Sequence, residues 1–274
     1  MSTIDVLDAP VDADVAQRIE TQIGELSDGI ARLAELAESK LGQKRPPPRT
    51  ALAALPAVPF TIFCEFDGLA AGEVEGALLA PVAVPDSPAP DDANGRASER
   101  DARVAAYEQL QMTLDDAVAA CDAAGAGLAA DFIEFAEACC VHRVRLCVLS
   151  RGLKPLIRQL LRDQGLGHVE VLANDMFVER ASGAWKVSCR DDSASGHDKG
   201  DSVRRAIAGA PKGAGAQTVL LVGRTACDFA PVAAGRVDCL TAPAGSELAK
   251  LCAEEGVDFR PWAGWDALRA DLLP

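Results

Sequence analysis

The chain has 274 residues, 49% hydrophobic but only 4% aromatic, so a sizeable core must be built from Ala, Val and Leu. Its 27 Lys and Arg stand against 41 Asp and Glu, a formal net charge of −14 that repels nucleic-acid phosphates and anionic lipid and excludes nucleic acid as the expected partner. No apolar run approaches the roughly 20 residues of a membrane span, and Met1–Asp14, with four Asp and no Lys or Arg, does not read as a targeting peptide, so the expected location is intracellular, cytoplasmic or organellar after presequence removal, and not secreted.

Residues 11–41 place Val11, Val15, Ile19, Ile23, Leu26, Ile30, Leu33 and Ala37 on one helical stripe, with Arg18, Glu20, Glu25, Arg32, Glu35, Glu38 and Lys40 opposite. Lys44-Arg45-Pro46-Pro47-Pro48-Arg49 follows as a stiff linker. A helix carried on such a linker suits docking to a protein partner or self-association; packing on its own domain is the plainer alternative. Thr61–Cys64 is a strand buried on both faces, and it ends in Glu65-Phe66-Asp67-Gly68, two acids at alternate positions followed by a turn residue. Helices are expected from Gly72, over 99–121 and over Leu128–Cys139, with a Pro- and Asp-rich loop across 80–98. Arg143–Leu149 is a second buried strand, ending in Ser150-Arg151-Gly152 and followed by a helix over Lys154–Gln164.

Val169–Leu172 reads as a short strand, and Met176–Glu179 with Trp185–Ser188 as a hairpin. Lys199 lies in a loop that leads into a helix over Ser202–Ala208. Thr218–Val222 is a third buried strand, ending in Gly223-Arg224-Thr225-Ala226-Cys227-Asp228. Val237–Leu240 is a fourth, Ser246–Glu255 a helix, and Phe259–Leu273 a short strand and helix. Alternating strands and helices indicate a parallel sheet covered on both faces. The nine cysteines include no C-x-x-C pair, and Cys139-Cys140-x-His142 lacks zinc spacing, so reduced, mostly buried thiols are expected.

Glu65, Asp67, Ser150, Lys199 and Asp228 thus fall at strand ends or in one loop. Carboxylates, a hydroxyl and an ammonium group in that placement suit phosphoryl transfer. In order and spacing the chain resembles the haloacid dehalogenase (HAD) superfamily over about residues 57–270, closest to its phosphoserine-phosphatase-like branch. Glu65-Phe66-Asp67-Gly68-Leu69 stands for motif one, Ser150-Arg151-Gly152 for motif two, His197-Asp198-Lys199-Gly200-Asp201 for motif three and Gly223 to Asp228 for motif four. Leu172-Ala173-Asn174 also fits. The resemblance implies a three-layer, Rossmann-like α/β core over 51–71 and 141–274, a helical cap over 72–140, and residues 1–50 as N-terminal helix and linker. It implies a degenerate catalytic set of Glu65, Asp67, Ser150 and Lys199, and phosphate binding by Ser150, Arg151, Gly152 and Lys199. Glu65, Asp67 and Asp228 are the ligands of any magnesium that activity would require.

The departures fall on the chemistry. Glu65 stands where the family has its nucleophilic Asp; one methylene moves a carboxylate by about 1 Å, and such misplacement costs about 10²-fold. Arg224 stands at the motif-four metal ligand, where magnesium needs oxygen at about 2.0–2.1 Å. Leu69 and Thr225 replace a Thr and a Gly. The expectation is a salt bridge from Arg224 to Glu65 and Asp67 in place of the cation, no cofactor, and a catalytically impaired phosphatase fold that works through protein contacts or as a subunit of an assembly. The alternatives are a weakly active magnesium-dependent phosphomonoesterase and a sensor of a small phosphorylated ligand.

Overall fold

The structure, a computed structural model, describes residues 60–82, 95–179, 183–209 and 218–273. The helix expected over 11–41, its Pro-rich linker and most of the 80–98 loop lie outside the described residues. Seven strands form one sheet in the order β4-β3-β2-β1-β5-β6-β7: β1 Phe60–Cys64, β2 Arg145–Leu153, β3 Glu170–Val178, β4 Trp185–Ser188, β5 Thr218–Val222, β6 Cys239–Ala242 and β7 Arg260–Pro261. All neighbours are parallel except β3 and β4, which form an antiparallel hairpin. This is the α/β fold with a mostly parallel sheet that the alternation of elements indicated.

Successive residues of a strand face opposite ways, and β1 uses both sides. Ile62 and Cys64 enter one core with Leu146, Val148, Leu220 and Val222; Phe63 enters the other with Cys147, Leu149, Leu221 and Leu240. On the first face lie α4 (Ala130–Val141), α5 (Lys154–Asp163) and the C-terminal α9 (Trp265–Leu272), giving Phe132, Leu156, Ile157, Leu160 and Trp265. On the second lie α6 (Lys199–Ala208), α7 (Phe229–Ala233) and α8 (Glu247–Glu254), giving Val203, Val232, Leu248 and Cys252. A strand covered on both faces needs apolar residues at every position, which is why β1, β2 and β5 read as continuous apolar runs.

Three expected elements differ in the structure. The single helix over 99–121 is two, α2 (Gly95–Glu108) and α3 (Leu114–Ala123). Thr113 makes a capping box with Asp116 that starts a new helix there. Val169–Leu172 and Met176–Glu179 join into one strand, β3, because its first half pairs with β2 and its second with β4. Lys199 opens α6 rather than lying in a loop; Asp198 caps the helix by accepting from the Asp201 amide at 3.0 Å. Among the described residues no helix is long and apolar enough to cross a membrane.

The chain runs β1 to β2 to β3 on one side and returns past β1 to β5, β6 and β7 on the other. The carboxyl end of β1 is therefore the switch point where strand order reverses, the place where open α/β sheets carry their sites. A short helix, α1 (Val74–Leu79), follows that end after the turn at Gly68, whose φ of +71° favours glycine.

Candidate active site

Glu65, Lys199 and Asp228 meet in one buried group. The Lys199 Nζ donates to Glu65 Oε2 and, at 2.6 Å, to Asp228 Oδ1. Side-chain exposure is 0% for Lys199 and Asp228 and 6% for Glu65, so the triad is sealed from water. Each member reaches it by strand ends or a helix start. The Glu65 amide continues the ladder to the Val222 carbonyl at 2.9 Å, Lys199 is the first residue of α6, and Asp228 ends a 3₁₀ turn after β5. Gly223 makes that turn possible: a Cβ there would come within 2.7 Å of the Asp228 Cβ.

Asp228 Oδ2 accepts from the amides of Arg224 and Thr225, both at 2.9 Å, and from the Thr225 hydroxyl at 3.0 Å. Burial alone would raise this carboxyl, but the Lys199 charge and these amides outweigh it and hold it below the usual range. Burial pushes the Glu65 carboxyl the other way, up to about 8, reinforced by Asp228 and opposed by Lys199. The Lys199 ammonium is disfavoured by burial yet stabilised above its usual range by Asp228 and Glu65. One ammonium thus serves two buried carboxyls, and the opposite directions of their shifts favour the negative charge on Asp228 over Glu65. The other Glu65 oxygen, Oε1, accepts from the neighbouring Phe66 amide at 3.1 Å.

Asp67 does not join this group. Its Oδ1 accepts from the Glu75 amide at 3.2 Å, in the first turn of α1. Burial raises its carboxyl to about 6, against that amide bond. Ser150 is fully buried; its Oγ accepts from the Gly152 amide at 2.9 Å. Gly152 approaches Asp67 closely, since a Cβ on it would lie 3.8 Å from Asp67 Oδ2. Ser150-Arg151-Gly152 and Asp67 therefore face one another beside the triad. The half-buried Arg151 is near enough for its charge to act on Cys227 and Tyr107.

The expected salt bridge from Arg224 to Glu65 and Asp67 is corrected by the structure. Lys199 already fills the space between Glu65 and Asp228, and it is the Arg224 backbone amide that faces inward. The side chain runs outward over Gly68, where a Cβ would collide with it, and pairs with Glu73. Its Nη1 touches Asp67 only at the backbone carbonyl oxygen, 3.4 Å away. With Arg224 33% and Glu73 62% exposed, that pair is screened and adds at most about 1 kcal/mol.

Glu65, Cys227 and Asp228 present ligand atoms within 4.8 Å of one another. This set does not fit magnesium as arranged. Magnesium takes hard oxygen ligands in an octahedron, whereas Cys227 offers a thiol that burial keeps protonated, and the carboxylates of Glu65 and Asp228 are bonded to Lys199. Glu73 was not singled out by motif spacing, and Thr225, Cys227 and His197 stood within the motif stretches without an assigned role. His197 was the most visible, two residues before Lys199 and, with an exposure of 1%, packed beneath motif two.

No protein-family model matches the chain. Among curated proteins, it is 30% identical over 186 residues to Pdp3-interacting factor 1 of Schizosaccharomyces pombe, an alignment covering 65% of this chain and 77% of that protein. It is 27% identical over 137 residues to polyol phosphate phosphatase PYP1 of Saccharomyces cerevisiae, covering 47% of this chain and 56% of that one. Among solved structures, an apo phosphoserine phosphatase superposes with a TM-score of 0.53 at 16% identity, over 79% of this chain and all of that one. A HAD family hydrolase from Salmonella enterica serovar Typhi superposes with a TM-score of 0.55 at 13% identity, over 79% of this chain and 72% of that one. Fold, motif order and sequence likeness agree: the chain belongs to the haloacid dehalogenase superfamily, in its phosphoserine-phosphatase-like branch.

Proposed function

We propose that this chain is a phosphatase-fold protein in which phosphoryl transfer is lost or nearly lost, and that it acts inside the cell through protein contacts. The observation that carries this reading is the state of Glu65. At the nucleophile position stands a carboxyl one methylene too long, buried, with one oxygen bonded to Lys199 and the other to its own neighbour's amide. With both oxygens engaged in this way, the carboxyl is poorly placed to attack phosphorus. Arg224 at the metal-ligand position adds to the case, because a guanidinium supplies no oxygen to magnesium. The contact role is supported by the amphipathic 11–41 stripe on its Pro-rich linker and by the name of the Schizosaccharomyces pombe relative, which is that of an interacting factor.

The test is phosphate release from p-nitrophenyl phosphate with magnesium, compared with a Lys199→Ala control. Equal rates are expected, and release well above the control would overturn the reading. The double variant Glu65→Asp/Arg224→Asp should regain activity where the remaining groups are in place. Loss of partner binding on deletion of residues 1–45 tests the contact role; an unchanged complex would count against it.

A second reading is favoured by a separate observation. Asp67 titrates near 6 beside Ser150-Arg151-Gly152, which suits proton transfer to a leaving group and retention of a phosphate-bearing ligand. The Saccharomyces cerevisiae relative is named a polyol phosphate phosphatase. In this reading the chain is a weakly active phosphomonoesterase, magnesium-dependent as its family's phosphatases generally are, or a sensor of a phosphorylated metabolite.

A further inference from the structure

The motif-two loop sits where its strand leaves the sheet ladder. Leu149 of β2 pairs with Leu172 of β3 and Leu153 with Asn174, so three residues of β2 lie opposite the single residue Ala173. A bulge of that kind breaks the ladder and frees backbone groups, which must find other partners when buried. Here two side chains supply them. His197 Nδ1 lies 2.7 Å from the Ser150 carbonyl oxygen, and Asn174 Nδ2 donates to the Arg151 carbonyl at 2.7 Å.

The donor directions close on themselves. A carbonyl only accepts, so His197 carries a proton on Nδ1. Its Nε2 lies 2.8 Å from the Ser202 Oγ, which accepts from Arg190 Nε at 2.8 Å and so offers its own proton to the ring. The Arg190 amide donates to Asn174 Oδ1 at 2.9 Å, which fixes the Asn174 amide with its nitrogen toward Arg151. His197, Ser202 and Asn174 are 1%, 3% and 4% exposed, so water does not compete for these bonds. The ring of bonds runs from Ser150 through His197, Ser202, Arg190 and Asn174 to Arg151 and closes through the Ser150–Arg151 peptide.

We propose that His197 and Asn174 are the positioning residues of the Ser150-Arg151-Gly152 loop, clamping its two consecutive carbonyls so that the loop keeps its place against Asp67 and the Ser150 hydroxyl, which accepts from the Gly152 amide, keeps its own proton to donate to a phosphate oxygen. The phosphate part rests on the reading in which the loop retains a phosphate-bearing ligand; the clamp itself does not. The clamp also ties the loop to the triad, because Lys199 follows His197 by two residues at the start of α6.

The experiment compares the full chain with His197→Ala and His197→Asn, the latter keeping an amide donor near the place of Nδ1. Amide exchange is read in the 149–153 segment against β1 and β5, and affinity is measured with inorganic phosphate. His197→Ala should speed exchange in that segment by about tenfold, the worth of one buried hydrogen bond, and weaken phosphate by a similar factor; His197→Asn should restore both. Nitrogen NMR of the wild-type ring should show the proton on Nδ1, a result that stands even where His197→Ala fails to fold. The proposal is overturned by a proton on Nε2, by unchanged exchange in His197→Ala, by exchange that rises equally across the sheet, or by failure of His197→Asn to restore the loop. Absence of phosphate binding in the wild type would refute the ligand reading, while the exchange data still decide the clamp.

Discussion

Replacing Lys199 by Met removes the ammonium that bridges Glu65 and Asp228 and keeps most of the apolar stem. The structure sets the magnitude. Both acids are left in a pocket where side-chain exposure is 0–6%, and removing one partner of a buried ion pair costs about 3–5 kcal/mol. Against a typical stability of about 5–15 kcal/mol, that is a large share. The loss should depend on pH in a definite direction. Without the lysine, both carboxyls have folded-state pKa values above their unfolded ones. The native state then holds protons that the unfolded chain releases, so stability falls as pH rises. Urea unfolding followed by tryptophan fluorescence should show the full deficit at pH 8 and a much smaller one at pH 5. The neutral triple variant Lys199→Met/Glu65→Gln/Asp228→Asn should recover most of the loss at pH 8 and remove its pH dependence. A deficit below about 1 kcal/mol at pH 8, or one of equal size at both pH values, would refute the idea of a sealed and coupled triad.

Two further outcomes follow from other groups. Burial lowers the His197 pKa to about 4 from an ordinary value near 6.5, so the unfolded chain takes up a proton that the native state refuses, and this group makes stability rise with pH from about 4 to about 6.5. Burial raises Asp67 to about 6, so its contribution falls as pH rises from about 4 to about 6. Relative to wild type, Asp67→Asn should therefore steepen the rise of stability with pH in that window and His197→Asn should flatten or reverse it; parallel profiles would contradict both assignments. Trp265 Nε1 donates to the Leu69 carbonyl at 2.9 Å, and its ring packs on Phe132 and Phe135. Trp265→Phe strands that buried carbonyl and should cost about 1–3 kcal/mol, with faster exchange in the turn after Asp67; no change in either would show that the turn is held by other contacts.

How much of this could be read from the chain alone varied with the kind of interaction. Thr61–Cys64, Arg145–Leu149 and Thr218–Val222 are apolar without alternation, and burial on both faces is the reason, so the central strands and the parallel sheet were legible. The end of β1 was legible too, because Glu65 interrupts its apolar run, and Gly223 marks the end of β5; β2 instead runs on past Ser150 to Leu153. The break between α2 and α3 was not legible, since the apolar period continues through it and the Thr113–Asp116 cap decides where the second helix starts. The joining of β3 across Ala173–Asp175 depended on two partner strands that lie far apart in sequence.

Pairing of charges was the least legible feature. The sequence by itself determined that an acid one methylene too long and an arginine occupy the nucleophile and metal-ligand positions of a HAD motif set, because identity at a motif position is a property of the chain. Only the tertiary structure decided which cation meets which anion. Lys199, placed by the start of α6, reaches Glu65 and Asp228 first, and Arg224, with its amide turned inward to Asp228, sends its side chain out to Glu73. Spacing along a chain fixes what can be offered at a site. Which groups bond there depends on backbone direction at each residue, and a sheet assembled from strands some 150 residues apart sets that direction.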